Sequence, residues 1–234
     1  MIGFYDYTVI LTYLSLISGT TGIVLCLNGI GHPYLGMFFL LFSGLCDTFD
    51  GKVARMKKDR TSEMKRFGIQ IDSLADLIAF GVLPACIGMA MFRSRVQLNV
   101  FTGPWLGILQ RYPFAYRGIL TAISVLYVLA AMIRLAYFNV LEESGQNCDS
   151  KGEKTYTGLP VTSAALIFPA VLLLHTSLKA DLTAMYFGVM IIVGILFLSK
   201  FHIKKPKNKT IALMIILGVL EFAVLAIGLF LCKK

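Results

Sequence analysis

Residues 47–55 read DTFDGKVAR and residues 67–76 read FGIQIDSLAD, joined by a polar, basic spacer and flanked by apolar runs long enough to enter a bilayer. On a helix, Asp47, Asp50, Gly51 and Ala54 recur at i, i+3, i+4 and i+7, while Gly68, Asp72 and Asp76 recur at i, i+4 and i+8. Each set makes one stripe. A carboxylate inside a membrane helix costs a few kcal/mol, so four of them require a compensating cation. Two acidic stripes interleaved with small residues predict two facing helices that clamp divalent metal, with Gly51, Ala54 and Gly68 leaving backbone open to a ligand.

Outward from this stretch, the composition is that of a membrane protein. The 234 residues are 57% hydrophobic and only 15% charged, against roughly 25% charged in soluble domains, and the mean hydropathy is +0.75. Apolar windows at about 8–28, 34–55, 69–92, 117–139, 159–177, 183–200 and 210–231 predict seven spans. They are expected to be helical, because backbone polar groups in lipid must be satisfied within each segment and the runs are too continuous for barrel strands. The expected fold is therefore an all-α polytopic bundle, a single integral membrane domain over residues 1–234 with no separate soluble domain. The first run lacks a preceding Lys or Arg and a cleavage pattern, so it is read as a retained span. Cys26, Cys46, Cys86, Cys148 and Cys232 and the three histidines are scattered, without zinc or redox spacing, and are assigned no chemistry.

Charge predicts the orientation. The stretches 52–66, 139–158 and 200–209 share one side and carry 14 Lys or Arg against 7 on the other, which puts them and the N-terminus in the cytosol. The 93–117 loop runs against this bias with four arginines, and its Pro104, Trp105 and Tyr112 read as an interfacial segment. The net charge of +9 suits anionic membrane lipids, whereas nucleic acid would need a soluble basic face that the chain lacks.

Both acidic pairs fall at one cytosolic level, Asp47 and Asp50 in the last turns of the second span and Asp72 and Asp76 in the first turns of the third. An all-oxygen site favours a hard ion, Mg²⁺ or Mn²⁺ with Ca²⁺ as a substitute, and two such ions suit phosphoryl-group transfer at a membrane surface. Simple salt bridges to Lys52, Arg55, Lys57 or Arg66 would explain one acid more readily than four on two stripes. A divalent-cation transporter would place its acids near the midplane, on broken helices of a repeated architecture. Here they are shallow, and no internal repeat is evident.

The order Asp47-x2-Asp50-Gly51-x2-Ala54-Arg55, then Gly68-x3-Asp72-x3-Asp76, resembles the signature of the CDP-alcohol phosphatidyltransferases at all eight fixed positions. The twelve-residue spacer Met56 to Phe67 is longer than in most members and is expected to lengthen the cytosolic elbow. Within the family, FGIQIDSLADLIAFGVLPA, RLAYFNV (134–140), YTGLPVTSAA (156–165) and SLISGTTG of the first span look like the phosphatidylserine synthases. The resemblance implies a six-helix catalytic core over about 8–200, with the span at about 210–231 added to it. It also implies transfer of the phosphatidyl group from CDP-diacylglycerol to L-serine, giving phosphatidylserine and CMP.

Carried over, the resemblance makes Asp47, Asp50 and Asp72 metal ligands, and Asp76 a ligand to a second ion that also takes the serine hydroxyl proton. Gly51, Ala54 and Gly68 resemble the nucleotide platform, Arg55 a phosphate-holding residue, and Ser15 and Ser18 polar first-span positions that touch cytidine. A homodimer follows from the same resemblance, and the expected setting is a prokaryotic inner or plasma membrane with the active site on the cytosolic side that the charge bias assigns. Arg134 is read as the carboxylate fork for serine rather than a snorkelling side chain. Asn139, Thr157 and Gly158 are placed with it in the serine pocket. Glycerol 3-phosphate or inositol is the alternative acceptor. A phosphate-bearing acceptor would need more cations than Lys151 and Lys154, which lie among Glu142, Glu143, Asp149 and Glu153.

Overall fold

The computed structural model describes residues 3–4, 6–28, 33–57, 59–94, 113–143, 155–178, 182–200, 202–204 and 216–224. A 3₁₀ turn at Tyr7–Val9 leads into α1 (Ile10–Leu27), followed by α2 (Pro33–Met56) and α3 (Ser62–Asp76). A π-helical segment, Leu77–Val82, joins α3 to α4 (Leu83–Ser94). Then come α5 (Pro113–Glu143), α6 (Ala164–Leu178) and α7 (Thr183–Leu198), and 216–224 is helical. Among the described residues three helices, Tyr7–Leu27, Ser62–Arg93 and Phe114–Glu142, are long and apolar enough to cross a membrane, and Val161–Leu174 and Thr183–Leu198 are shorter apolar helices. Outward-facing Val125, Leu126 and Ile133 on α5 and Ile192 and Ile195 on α7 give the bundle an apolar exterior, as a hydrocarbon environment requires.

Six of the seven expected spans thus coincide with described helices. The seventh is described only over 216–224, and Pro104, Trp105 and Tyr112 of the expected interfacial segment lie outside the described residues. One short addition interrupts the helical pattern: β1 (Thr155–Thr157) pairs antiparallel with β2 (His202–Lys204), with Thr157 opposite His202. The long spacer also differs from expectation. Instead of an enlarged elbow, residues 62–67 extend α3, and the Thr61 side chain caps it by accepting from Met64 N at 3.2 Å.

Polar bonds and small residues set the packing of the first three helices. Ser18 Oγ donates to Phe39 O at 2.7 Å and Ser43 Oγ donates to Ser15 O at 3.1 Å, tying α1 antiparallel to α2. A Cβ on Gly19 would lie 3.1 Å from Ala79 Cα, so α1 meets the helix running through α3 and α4 almost backbone to backbone. Gly36 of α2 faces Ile87, and Gly44 approaches Phe80. Eight residues along α2 therefore match seven along its antiparallel partner. Continued past Gly44, that register brings Asp47 and Asp50 level with residues 74–77, beside Asp72 and Asp76.

The π-helical segment begins immediately after Asp76 and has an identifiable cause. Pro84 has no N–H to donate back to Phe80 O, so the ordinary i+4 ladder breaks there. The buried Tyr127 hydroxyl of α5 donates to Phe80 O at 2.7 Å instead, and Tyr186 of α7 donates to Pro84 O at 2.8 Å. Both tyrosines belong to the same core cluster as Phe80, Leu83, Phe168 and Phe197. The acidic end of α3 is thereby anchored to α5 and α7.

Overpacking the α1 crossing should be costly. Gly19→Leu is expected to lower stability by about 1–3 kcal/mol, whereas Gly118→Leu, which meets nothing within 4 Å, should leave it unchanged. Thermal unfolding of the detergent-solubilised variants measures both; equal midpoints would refute the close approach.

Candidate metal centre and substrate site

Asp47 and Asp50 of α2 and Asp72 of α3 each present a carboxylate oxygen within 4.8 Å of the other two. At that separation each ionised pair repels by roughly 3 kcal/mol even at an effective dielectric constant near 20. Three hard anionic oxygens from two helices fit a divalent cation such as Mg²⁺, Mn²⁺ or Ca²⁺. Asp76 is buried one turn farther along the same face of its helix, about 6 Å from Asp72 in axial rise, and stands outside that group of three. Two of the lysines that could have formed simple salt bridges are engaged elsewhere. Lys52 lies over the Phe49 ring at 5.5 Å, and Lys57 pairs with Asp6 beside Tyr7. The Lys57 hydrogen bond holds the Asp6 carboxyl below its usual range and ties the N-terminus to the elbow after α2.

Thr12 of α1 completes the first carboxylate pair: its Oγ1 donates to Asp50 Oδ2 at 3.3 Å, and both residues are buried. Only the antiparallel register between α1 and α2 reveals this contact. A threonine one turn into a hydrophobic helix carries no such signal in sequence. Ser15 and Ser18 lie deeper on the same face, where their hydroxyls meet the α2 carbonyls of Ser43 and Phe39 at 3.5 and 2.7 Å. Those hydroxyls hold the two helices together.

Gly51 is exposed, and Ala54 and Gly68 are half-buried. Arg60 lies directly over Gly68, where a Cβ would sit 2.6 Å from its Nη2. Arg55 occupies the last turn of α2, and its side chain lies outside the described residues.

Arg134 is 5% exposed, which excludes a side chain snorkelling away from the protein. Its Nε donates to Leu159 O at 3.2 Å, and its guanidinium lies 5.5 Å from the centre of the Phe138 ring. Gly158 adopts φ +78° and packs so closely that a Cβ would lie 2.9 Å from Ser199 O and 3.5 Å from Arg134 Nε. A glycine is required there on both counts. The structure therefore brings Arg134 and Gly158 together. Asn139 turns to α3, where its Nδ2 donates to Ser73 Oγ at 2.8 Å, next to Asp72. Thr157 contributes through its backbone, paired with His202 in the ribbon. Ser73 against Asn139 and Gly81 against Ala131 set the register of α5, which places Arg134 level with residues 77–78, just past Asp76.

A family model described as CDP-alcohol phosphatidyltransferase matches residues 8–232. The chain belongs to that family. It is 28% identical over 180 residues to a CDP-diacylglycerol–serine O-phosphatidyltransferase of Helicobacter pylori, covering 76% of this chain and 62% of the relative. An archaetidylserine synthase of Methanothermobacter thermautotrophicus is 30% identical over 193 residues, covering 82% and 67%. A CDP-diacylglycerol–serine O-phosphatidyltransferase of Saccharomyces cerevisiae is 33% identical over 166 residues, covering 66% and 50%. The chain thus spans about three-fifths of the length of the Helicobacter pylori protein.

Removing the Thr12 hydroxyl should loosen the acidic cluster without adding or deleting a carboxylate. Thr12→Val is expected to weaken Mn²⁺ binding by about tenfold, in line with the loss of other groups that orient metal ligands, while Thr21→Val, whose hydroxyl only bonds Ile17 O, should have no effect. Equilibrium binding of Mn²⁺ to each variant checks this; equal affinities would detach Thr12 from the site.

Proposed function

We propose that this chain transfers the phosphatidyl group of CDP-diacylglycerol to the hydroxyl of L-serine, forming phosphatidylserine and CMP. The observation that carries the reading is the convergence of Asp47, Asp50 and Asp72 from two facing helices, with Asp76 buried one turn beyond. Asp47, Asp50 and Asp72 would hold Mg²⁺ or Mn²⁺, and Asp76 would extend the site to a second ion; such ions, when bound, would supply polarisation of phosphoryl oxygens and charge neutralisation on the departing phosphate. Gly51, Ala54 and Gly68 leave backbone open for the nucleotide and Arg55 holds a donor phosphate, while Ser15 and Ser18, buried against α2 carbonyls, support α1 beneath the site.

The serine hydroxyl oxygen attacks the phosphorus esterified to diacylglycerol. The bond from that phosphorus to the bridging diphosphate oxygen breaks, and CMP leaves with the electron pair. Asp76 takes the hydroxyl proton, since a hydroxyl already oriented for attack needs only an adjacent acceptor. Serine as the acceptor is supported by the relatives that are CDP-diacylglycerol–serine O-phosphatidyltransferases and by Arg134, whose burial beside Gly158 at the level of Asp76 suits a planar fork for a carboxylate. Asn139 and Thr157 flank this pocket. The charge bias supports a site facing the cytosol, and the family resemblance supports a homodimer in a prokaryotic inner or plasma membrane.

Acceptor choice is tested by CMP release from purified protein with CDP-diacylglycerol, Mn²⁺ and each alcohol in turn. Serine should be used far better than ethanolamine or inositol, which lack an anionic group for the Arg134 guanidinium, and better than glycerol 3-phosphate, whose doubly charged phosphate would need more cations than this pocket offers. Arg134→Lys should raise the KM for serine about tenfold or more and leave that for CDP-diacylglycerol nearly unchanged. Equal use of ethanolamine, or an unaltered serine KM, would remove Arg134 from acceptor recognition; preference for inositol or glycerol 3-phosphate would replace serine.

A further inference from the structure

The residue over Gly68 comes from the stretch of chain that departs from the family spacing. Arg60 lies in the short elbow between α2 and α3, one residue before the Thr61 cap. The cap bond from Met64 N to Thr61 Oγ1 and the bond from Lys65 N to Thr61 O fix where the elbow ends and the helix begins. From there the Arg60 side chain folds back along α3, and Nη2 donates to Met64 O at 3.3 Å, a long bond to a neutral acceptor. The same Nη2 occupies the space that a side chain at Gly68 would fill. Its Nε is buried and makes no hydrogen bond. A buried guanidinium N–H without an acceptor is costly, although Arg60 as a whole is half-buried and its charge also acts on the Asp6 carboxylate. An anionic acceptor supplied by a ligand would satisfy that N–H.

Position narrows the ligand. Gly68 stands one helical turn, about 6 Å, before Asp72 on the same stripe, so a group lying against Gly68 reaches both Arg60 and the acidic cluster. A guanidinium and a cation held by carboxylates, one turn apart, are complementary to a diphosphate. Phosphate oxygens accept paired N–H groups of arginine with good geometry.

We infer that Arg60 binds the diphosphate of the nucleotide donor, moving from its resting place over Gly68 onto the phosphate oxygens as the nucleotide takes that place. The inference rests on the proposed CDP-diacylglycerol site and adds to it a ligand from outside the eight-residue signature. Residues 62–67 form the first turns of α3, and the Arg60 side chain folds back along them from the elbow to reach Gly68. Arg60 acts on donor binding only and has no part in selecting the alcohol.

The test uses the full chain in detergent with Mn²⁺ and compares binding of CDP and of cytidine, together with steady-state CMP release at varied CDP-diacylglycerol and varied serine. Arg60→Ala and Arg60→Gln should each weaken CDP about tenfold or more, leave cytidine within about twofold, raise the KM for CDP-diacylglycerol, and leave that for serine unchanged. Using two variants, each checked by thermal unfolding, separates loss of a contact from loss of fold. Unchanged CDP affinity would overturn the inference, and tighter CDP binding would make Arg60 a plug over Gly68. An equal loss for CDP and cytidine would make its role structural. Wild-type protein that binds no CDP would overturn the proposed donor and this inference together, whereas transfer to an alcohol other than serine would leave it standing.

Discussion

Mutual repulsion among carboxylates held between two antiparallel helices is the constraint on which the rest of this structure turns. With oxygens of Asp47, Asp50 and Asp72 within 4.8 Å of one another and Asp76 buried one turn away, ionised acids cannot be accommodated by packing alone. Helix geometry enforces the convergence. Gly36 lies against Cys26 and Ile87, and Gly44 against Ala165, so a longer side chain at either glycine would push α2 off its neighbours. The hydroxyls of Ser18 and Ser43 lock α1 onto the same pair, and Thr12 then reaches Asp50. A divalent cation, which these three acids could hold, would stabilise such an arrangement.

The core serves the same end. Pro84 breaks the helical ladder just past Asp76, and Tyr127 and Tyr186 satisfy the Phe80 and Pro84 carbonyls from two other helices. π-Helical turns are frequent at functional sites because they re-aim side chains without ending a helix. Here the turn lets one helix of 32 residues, Ser62–Arg93, carry the acids at its polar end and the core residues Ala79, Phe80 and Leu83 at its apolar end. Ordering at the site and packing in the core are therefore coupled through a single helix.

The helical spans and acidic stripes were legible in sequence because both are periodic: apolar runs report spans, and carboxylates at i+3 and i+4 report a face. Membership of the family was legible in the same eight positions. What stayed hidden arises between elements distant in the chain. Thr12 reaches Asp50 across 38 positions, and nothing local marks it. The spacer looked like loop by its charge, yet Thr61 with Ser62 and Glu63 is a helix start, and the added turns lie on the solvent side, where polar residues do not oppose a helix. The three-residue ribbon between Thr155–Thr157 and His202–Lys204 is too short to leave a pattern. Ser15 and Ser18 were placed near the nucleotide by resemblance, while their hydroxyls also bond α2 carbonyls.

If the three clustered acids form a cation site and Asp76 acts beyond it, metal binding and turnover separate at Asp76. Mn²⁺ binding followed by electron paramagnetic resonance, alongside CMP release, distinguishes them in wild type, Asp47→Asn, Asp50→Asn, Asp72→Asn and Asp76→Asn. Each of the first three variants is expected to lose high-affinity Mn²⁺ and turnover together, while Asp76→Asn keeps at least one bound ion and loses turnover. Wild-type affinity in a folded Asp72→Asn protein, or near-normal turnover in Asp76→Asn, would contradict these roles.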